Sequence, residues 1–462
     1  MGPPARKLHI VHVISELPSL IKLSVPLVLG LSASSLIGIT DTIMLAPLGT
    51  EVLAIVALVM AVHMLLTAML YGVISVAGVS MASGFGARDA RMVSSAVRHG
   101  MLMALISGAL AAVVMLALMP IVRLMGLPED QALLYWVPMA LFMLPFSVFL
   151  VLKSLLDATD RPWLAVGFAF LGVVINVPLN YLLIYGFGPI PALGILGSGL
   201  ASVLAETIAL AAAYFYWRRA LAMRRFRLRA VVSGKGIWQQ FLQGLPLGIS
   251  YLAEAGAVAM ATFILGWFGA GALAANQIVN SIGTTLYMLP LGMATAVAIR
   301  IAQADGSGQP ERLRPIGMAT FGFVALWMLA AMIALIFAGR SIAEALSDDT
   351  PVIALASSMF IVVALMQVVD GLQSTGLGAL RGLNDTKWPS AMSIVSYWLL
   401  ALPLGYFLAF HTSVGPLGVW IGFATGLSLS AVVLPARFFR LVRVRESNSR
   451  DAAATAGEEL PR

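Results

Sequence analysis

The stretch VPLVLGLSASSLIGITDTIM, Val25 to Met44, carries a single charge, Asp41, in a run of otherwise apolar and small polar residues. A membrane-spanning helix needs ~20 predominantly apolar residues, and this run is that long. Comparable runs recur along the 462-residue chain, in which hydrophobic residues make up 60% and charged residues 11%, with a mean hydropathy of +0.95. A soluble domain carries ~25% charged residues, so a water-soluble fold is excluded. The runs predict helical spans near 17–43, 51–84, 92–119, 131–153, 163–187, 192–220, 238–267, 272–302, 312–338, 351–378, 388–412 and 416–444. The predicted class is an all-α integral membrane protein with twelve transmembrane helices, because a helix satisfies its own backbone in lipid.

The basic residues orient the spans, since cytoplasmic loops concentrate Lys and Arg. With both termini inside, every one of the 28 Lys and Arg falls on the cytoplasmic side except Arg123 and Arg340. The net charge of +7 is thus an inner-leaflet property, and no nucleic-acid partner is called for. The run Arg218, Arg219, Arg224, Arg225, Arg227 and Arg229 reads as an anchor near anionic headgroups. Cysteine is absent, which excludes disulfides, thioether-linked haem and Cys-ligated zinc or iron–sulfur centres. Met1 to Ser15 lacks the short apolar core and cleavage site of a signal peptide, so the first span is expected to act as an uncleaved anchor.

An internal repeat divides the chain. Ser24-Val25-Pro26-Leu27 answers to Gly244-Leu245-Pro246-Leu247 at an offset of 220, and the register continues with Gly49 and Gly269, Gly72 and Gly292, Gly86 and Gly306. Later the offset drifts to 225, where Asp160 meets Asp385, Trp163 meets Trp388 and Pro178 meets Pro403. Six spans per copy is an even number, so the copies share orientation, and two parallel-repeat six-helix lobes are expected about an axis along the membrane normal. The expected organisation is a cytoplasmic N-terminus (1–16), an N-lobe (17–220), a cytoplasmic linker (221–236), a C-lobe (237–445) and a disordered cytoplasmic tail (446–462).

Four carboxylates, Asp41, Glu206, Glu254 and Asp370, sit inside apolar runs with no Lys or Arg beside them. An acid at a span centre costs roughly 2.5–3.5 kcal/mol on insertion scales and marks an ion or substrate pathway by default. The unpaired sign is negative, which points to cations. Glu254 and Asp370 come from different spans; facing each other they would repel, and a shared H⁺ or Na⁺ would relieve that repulsion. Sodium is a hard cation that takes oxygen ligands, so the carboxylates of Glu254 and Asp370 form a candidate Na⁺ site that the amide oxygens of Gln277, Asn280 or Gln367 could complete. A substrate cation would compete for the same charge. Glu206, in Ala-Ser-Val-Leu-Ala-Glu-Thr-Ile, reads as an acid packed against a neighbouring helix.

The chain resembles the multidrug and toxic compound extrusion (MATE) transporters, in their NorM-like bacterial branch. The matching segments are Gly38-Ile39-Thr40-Asp41-Thr42-Ile43-Met44, Gly84-Phe85-Gly86-Ala87-Arg88-Asp89, Ala274-Ala275-Asn276-Gln277-Ile278, and Asp370 upstream of Ala379-Leu380-Arg381-Gly382. The resemblance covers about Leu17 to Arg445. It implies a V-shaped cleft between the lobes and a secondary antiporter in the bacterial inner membrane, exporting organic, amphipathic cations for H⁺ or Na⁺. No cofactor is implied, and the partners are small organic cations and membrane lipids around a monomer. The resemblance implies cation-coupling roles for Glu254 and Asp370 in the C-lobe and Asp41 in the N-lobe; the candidate substrate contacts are the amides Asn176, Asn180, Gln277, Asn280 and Gln367. The family often carries an acid where this chain has Asn180, and a Tyr where it has Met366.

Two other classes fit less well. A flippase for lipid-linked oligosaccharides or lipids, of related architecture, would need a basic centre for pyrophosphate headgroups, and no mid-span Arg or Lys is evident. An intramembrane enzyme would need a motif beside its acids, and the five His residues, at 9, 12, 63, 99 and 411, show no metal-ligand spacing.

Overall fold

The computed structural model describes residues 3–228 and 232–458. Among the described residues twelve helices long and apolar enough to span a membrane follow one another: α1 Pro3–Leu45, α2 Thr50–Gly86, α3 Ala90–Ala117, α4 Glu129–Ala158, α5 Pro162–Tyr185, α6 Ile195–Arg219, α7 Gly234–Gly266, α8 Ala270–Gly306, α9 Leu313–Leu346, α10 Thr350–Gly382, α11 Lys387–His411 and α12 Leu417–Glu458. No β-strand occurs among the described residues; Phe187 and Ile190 form an isolated bridge in the loop after α5. The class expected from hydropathy is therefore the observed one.

The repeat is visible in the helix limits. α8 begins and ends 220 residues after α2 (270 − 50 and 306 − 86). Gly49 and Gly269, which precede these helices, have φ of 116° and 93°. Only glycine adopts such angles without strain, which is why the repeat keeps it at both places. The turn after each helix also has its counterpart, with Arg88 at φ 55° and Gly308, 220 residues on, at φ 68°. Asp89 caps α3, its Oδ1 accepting from the Arg91 and Met92 amides at 2.8 and 3.0 Å.

The chain forms two compact units, one of Pro26–Leu252 and one of Met1–Val25 with Ala253–Arg462. These divisions fall inside α1 and α7, not at the loop-based limits of 17–220 and 237–445. The first unit keeps the start of α7 because two glycines let its backbone approach α2. A Cβ on Gly244 would lie 2.2 Å from the Val73 carbonyl oxygen, and one on Gly72 would lie 2.6 Å from the Gly248 Cα. Small residues at such crossings drive helix association in lipid, where apolar burial offers no gain. The basic linker is docked in the same unit. Met223 and Phe226 are buried, the Arg225 guanidinium stacks over Phe226 and Phe85, and the Ser233 amide donates to His99 Nε2 at 3.2 Å. Arg229 lies outside the described residues. Lys153, one of the basic residues that the span pattern assigns to the cytoplasmic side, is buried in the last turns of α4, where it donates to Asp157 Oδ2 at 2.9 Å.

In the second unit Arg312 donates twice to Glu16 Oε1, at 2.6 and 2.9 Å, tying the start of α1 to the start of α9. Gly418, Gly422 and Gly426 form a stripe on α12 against α11; a Cβ on Gly422 would lie 2.4 Å from the Gly405 nitrogen. Arg437 pairs with Asp385 at 2.6 Å and covers the Trp388 ring. Residues 446–458, expected as a disordered tail, continue α12 as helix. Their run Ala452–Ala456, four alanines and a threonine, has high helix propensity, which composition read as tail-like conceals. Residues 459–462 lie outside the described part.

Candidate functional site

Asp41 lies four residues before the end of α1, fully buried, and is enclosed by three other helices. Its Oδ1 accepts from Asn180 Nδ2 of α5 at 2.7 Å. Its Oδ2 accepts from Ser202 Oγ of α6 at 2.8 Å and from the Tyr135 hydroxyl of α4 at 3.1 Å. The ring closes through Asn176, which donates from Nδ2 to Ser202 Oγ and accepts from Asn180 Nδ2 at Oδ1, both at 3.0 Å. Helix periodicity explains why α5 presents two of these groups: Asn176 and Asn180 are one turn apart on one face. Asp41 is thus the hub of a neutral hydrogen-bonded cage, with no basic partner in it. Asn180 Oδ1 is the one cage oxygen without a partner.

The second group of acids is built differently. Glu254 on α7 and Asp370 on α10 are half-buried and feel each other's charge. The Tyr287 hydroxyl of α8 hydrogen-bonds Glu254, whereas Asp370 Oδ1 has no donor. Tyr397 stands in the field of both carboxylates and is buried. It belongs to a π-helical turn, Val395–Ala401, inside α11, and π-turns of this kind concentrate at functional sites. The next residue, Trp398, donates from Nε1 to the Ala253 carbonyl at 2.9 Å, beside Glu254. Two carboxylates with phenols around them and little hydrogen bonding to spare form a surface that gains from an incoming cation.

The amides expected around this pair are placed unevenly. Gln367 is buried, its Nε2 donating to the Gly283 carbonyl at 2.8 Å while its Oε1 stays unpartnered. Gln277 is exposed, 3.4 Å from Ser281 Oγ, and Asn280 is half-buried. The buried amide of that segment is Asn276, whose Nδ2 lies 3.5 Å from Thr262 Oγ1. Among the described residues no three His, Cys, Asp or Glu side chains gather as a metal site. Sequence reasoning missed Tyr135, Ser202 and Tyr397 as neighbours of the acids. For Ser202 a signal existed, since Ser198, Ser202 and Glu206 recur every four residues; for Tyr135 and Tyr397 none did.

Acids held inside both repeats of a twelve-span helical membrane protein define a transporter rather than an enzyme. The comparisons agree. The MatE family profile matches residues 26–182 and 246–407. A relative from Deinococcus radiodurans named "Probable multidrug resistance protein NorM" is 32% identical over 439 residues, covering 93% of this chain and 96% of the relative. One of the same name from Rhizobium meliloti is 32% identical, covering 91% and 92%. A crystal structure of a MATE protein in a bent conformation shares the fold with a TM-score of 0.84 at 20% identity, covering 93% of this chain and 96% of that one. The chain belongs to the MATE family of membrane transporters.

Proposed function

We propose that this transporter is a secondary antiporter of the bacterial inner membrane, both termini cytoplasmic, which exports organic, amphipathic cations in exchange for H⁺ or Na⁺. The observation that carries the reading is the pair Glu254 and Asp370, half-buried on separate helices, within each other's field and without a basic partner. The names of the NorM relatives support multidrug export as the task. Both carboxylates ionised repel; a proton or a sodium ion relieves the repulsion, and so does a drug cation. Because the two ligands neutralise the same charge, binding one releases the other, and each stabilises the conformation in which it is held. Gln367 Oε1 adds an uncharged oxygen suited to a hard cation. Asp41, with Asn176 and Asn180, is a second cation-responsive centre in the first repeat.

The test is efflux of a fluorescent organic cation from proteoliposomes, driven separately by a Na⁺ gradient and a pH gradient. Wild type is expected to respond to at least one, and Glu254→Gln and Asp370→Asn to fall to the liposome background. Undiminished efflux by both variants would remove the pair from the mechanism.

A further inference from the structure

Glu206 takes part in neither group of side chains above. On α6 it is the third member of the stripe Ser198, Ser202, Glu206, and side chains four residues apart on a helix stack on one face. All three are buried, Glu206 being 6% exposed, and Ser198 Oγ and Glu206 Oε1 have no hydrogen-bond partner. Ser202, between them, is bonded into the Asp41 cage. Glu206 therefore sits one turn from that cage, toward the Arg218–Arg219 end of α6.

No charge faces it. Helices α4 and α5 and the turn Leu221–Arg227 pack against α6. On α4, Lys153 and Asp157 pair with each other, Glu129 pairs with Arg123, and Asp130 is exposed at the opposite end. α5 contains no charged residue, its titratable groups being Tyr181 and Tyr185. Arg224, Arg225 and Arg227 follow the end of α6, Arg161 before α5 donates to the Tyr216 hydroxyl of α6 at 2.9 Å, and Tyr135 and Asp41 are held in the cage. Burial with Oε1 unpartnered disfavours the charged carboxylate far more than a neutral group of the same shape. What neutralises the group must be small. Sodium asks for several oxygen ligands, and the hydroxyl of Ser202 is the one offered by the stripe within a turn that is already ordered. A proton needs no such shell.

We infer that Glu206 carries an exchangeable proton for the Asp41 centre, with the Ser202 hydroxyl as the bridge. Cβ atoms four apart on a helix are ~6 Å from each other, so a rotamer change brings the Glu206 carboxyl to Ser202. A hydroxyl oxygen accepts twice, and Ser202 Oγ uses one place for Asn176 Nδ2. The free place receives the proton from Glu206 as the original hydroxyl proton passes to Asp41 Oδ2. Glu206 is left a carboxylate and Asp41 a carboxylic acid, with no other bond changed. The transport consequence rests on the antiport reading; the proton itself does not.

Infrared difference spectroscopy of the full-length protein between acid and alkaline pH tests it. Wild type is expected to show the carbonyl stretch of a buried carboxylic acid, which Glu206→Gln removes and Glu206→Asp displaces. Asp41→Asn should displace the Glu206 band in wild type and leave it unmoved in a Ser202→Ala background. A Glu206→Gln spectrum that superposes on wild type overturns the inference; a Glu206 band indifferent to Asp41→Asn overturns the bridge. In proteoliposomes, pH-driven dye efflux should fall on the order of a hundredfold in Glu206→Gln and recover in Glu206→Asp. Wild type inert under both ion gradients would refute antiport while leaving the infrared assignment standing.

Discussion

At the scale of single residues, the two acidic groups differ in how completely the protein satisfies them. Asp41 accepts three hydrogen bonds from side chains of three helices, while Asp370 Oδ1 accepts none. The Asp41 cage therefore ties its helices together, and its weakest point is Ser202, which both donates to Asp41 and accepts from Asn176. Ser202→Ala removes two bonds and takes from the buried Asn176 Nδ2 its hydroxyl acceptor. Such changes cost about 1–3 kcal/mol in soluble proteins and less per bond in membranes, so a loss of about 1–2 kcal/mol is expected. Thermal unfolding in detergent checks it, with Ser281→Ala, at an exposed site, as the unaffected control. The acids were legible in the sequence because charge inside an apolar run is conspicuous. Their partners were not: Tyr135 and Ser202 come from helices 94 and 161 residues away from Asp41, and hydropathy holds no information on which helix faces which.

At the scale of helices, what the sequence shows as scattered glycines the structure shows as contact seams. The α12 stripe is the sharpest case. An alanine at 422 would place its Cβ 2.4 Å from the Gly405 nitrogen and 2.5 Å from the Ala401 oxygen, backbone atoms that cannot turn aside. α11 must move, and overpacking of this kind costs about 1–3 kcal/mol. Gly322, exposed on α9, has nothing within 4 Å of such a Cβ. There alanine only restricts the unfolded chain and should stabilise by about 0.5–1 kcal/mol. The two Gly→Ala variants are thus expected to shift the unfolding temperature in opposite directions, and a shift of the same sign would show that the seam yields. Span number and order were readable because each helix is long and apolar. The π-turn at Val395–Ala401 was not, since an extra residue in a helical turn changes no composition; yet it is this turn that holds Tyr397 near the acids.

At the scale of the whole chain, the even count of spans and the basic loops jointly demand one topology, and the absence of cysteine makes it directly measurable. Twelve spans return the C-terminus to the side of the N-terminus, and the positive-inside rule predicts that this side is the cytoplasmic one. An error of one span anywhere would invert every loop beyond it, so sites late in the chain are the most informative. Ser307 between α8 and α9, Ser413 between α11 and α12, and Ser447 near the end of α12 are all exposed, and serine to cysteine changes one atom. In intact cells a membrane-impermeant maleimide should label Ser413→Cys and spare Ser307→Cys and Ser447→Cys, which react once the membrane is opened. Labelling of Ser447→Cys from outside would put the Arg437–Arg445 cluster on the wrong face. It would also exchange the faces to which the proposed Glu254 and Asp370 site opens in each conformation, while the ion gradient, which sets the direction of any secondary antiport, would still decide which way cations move.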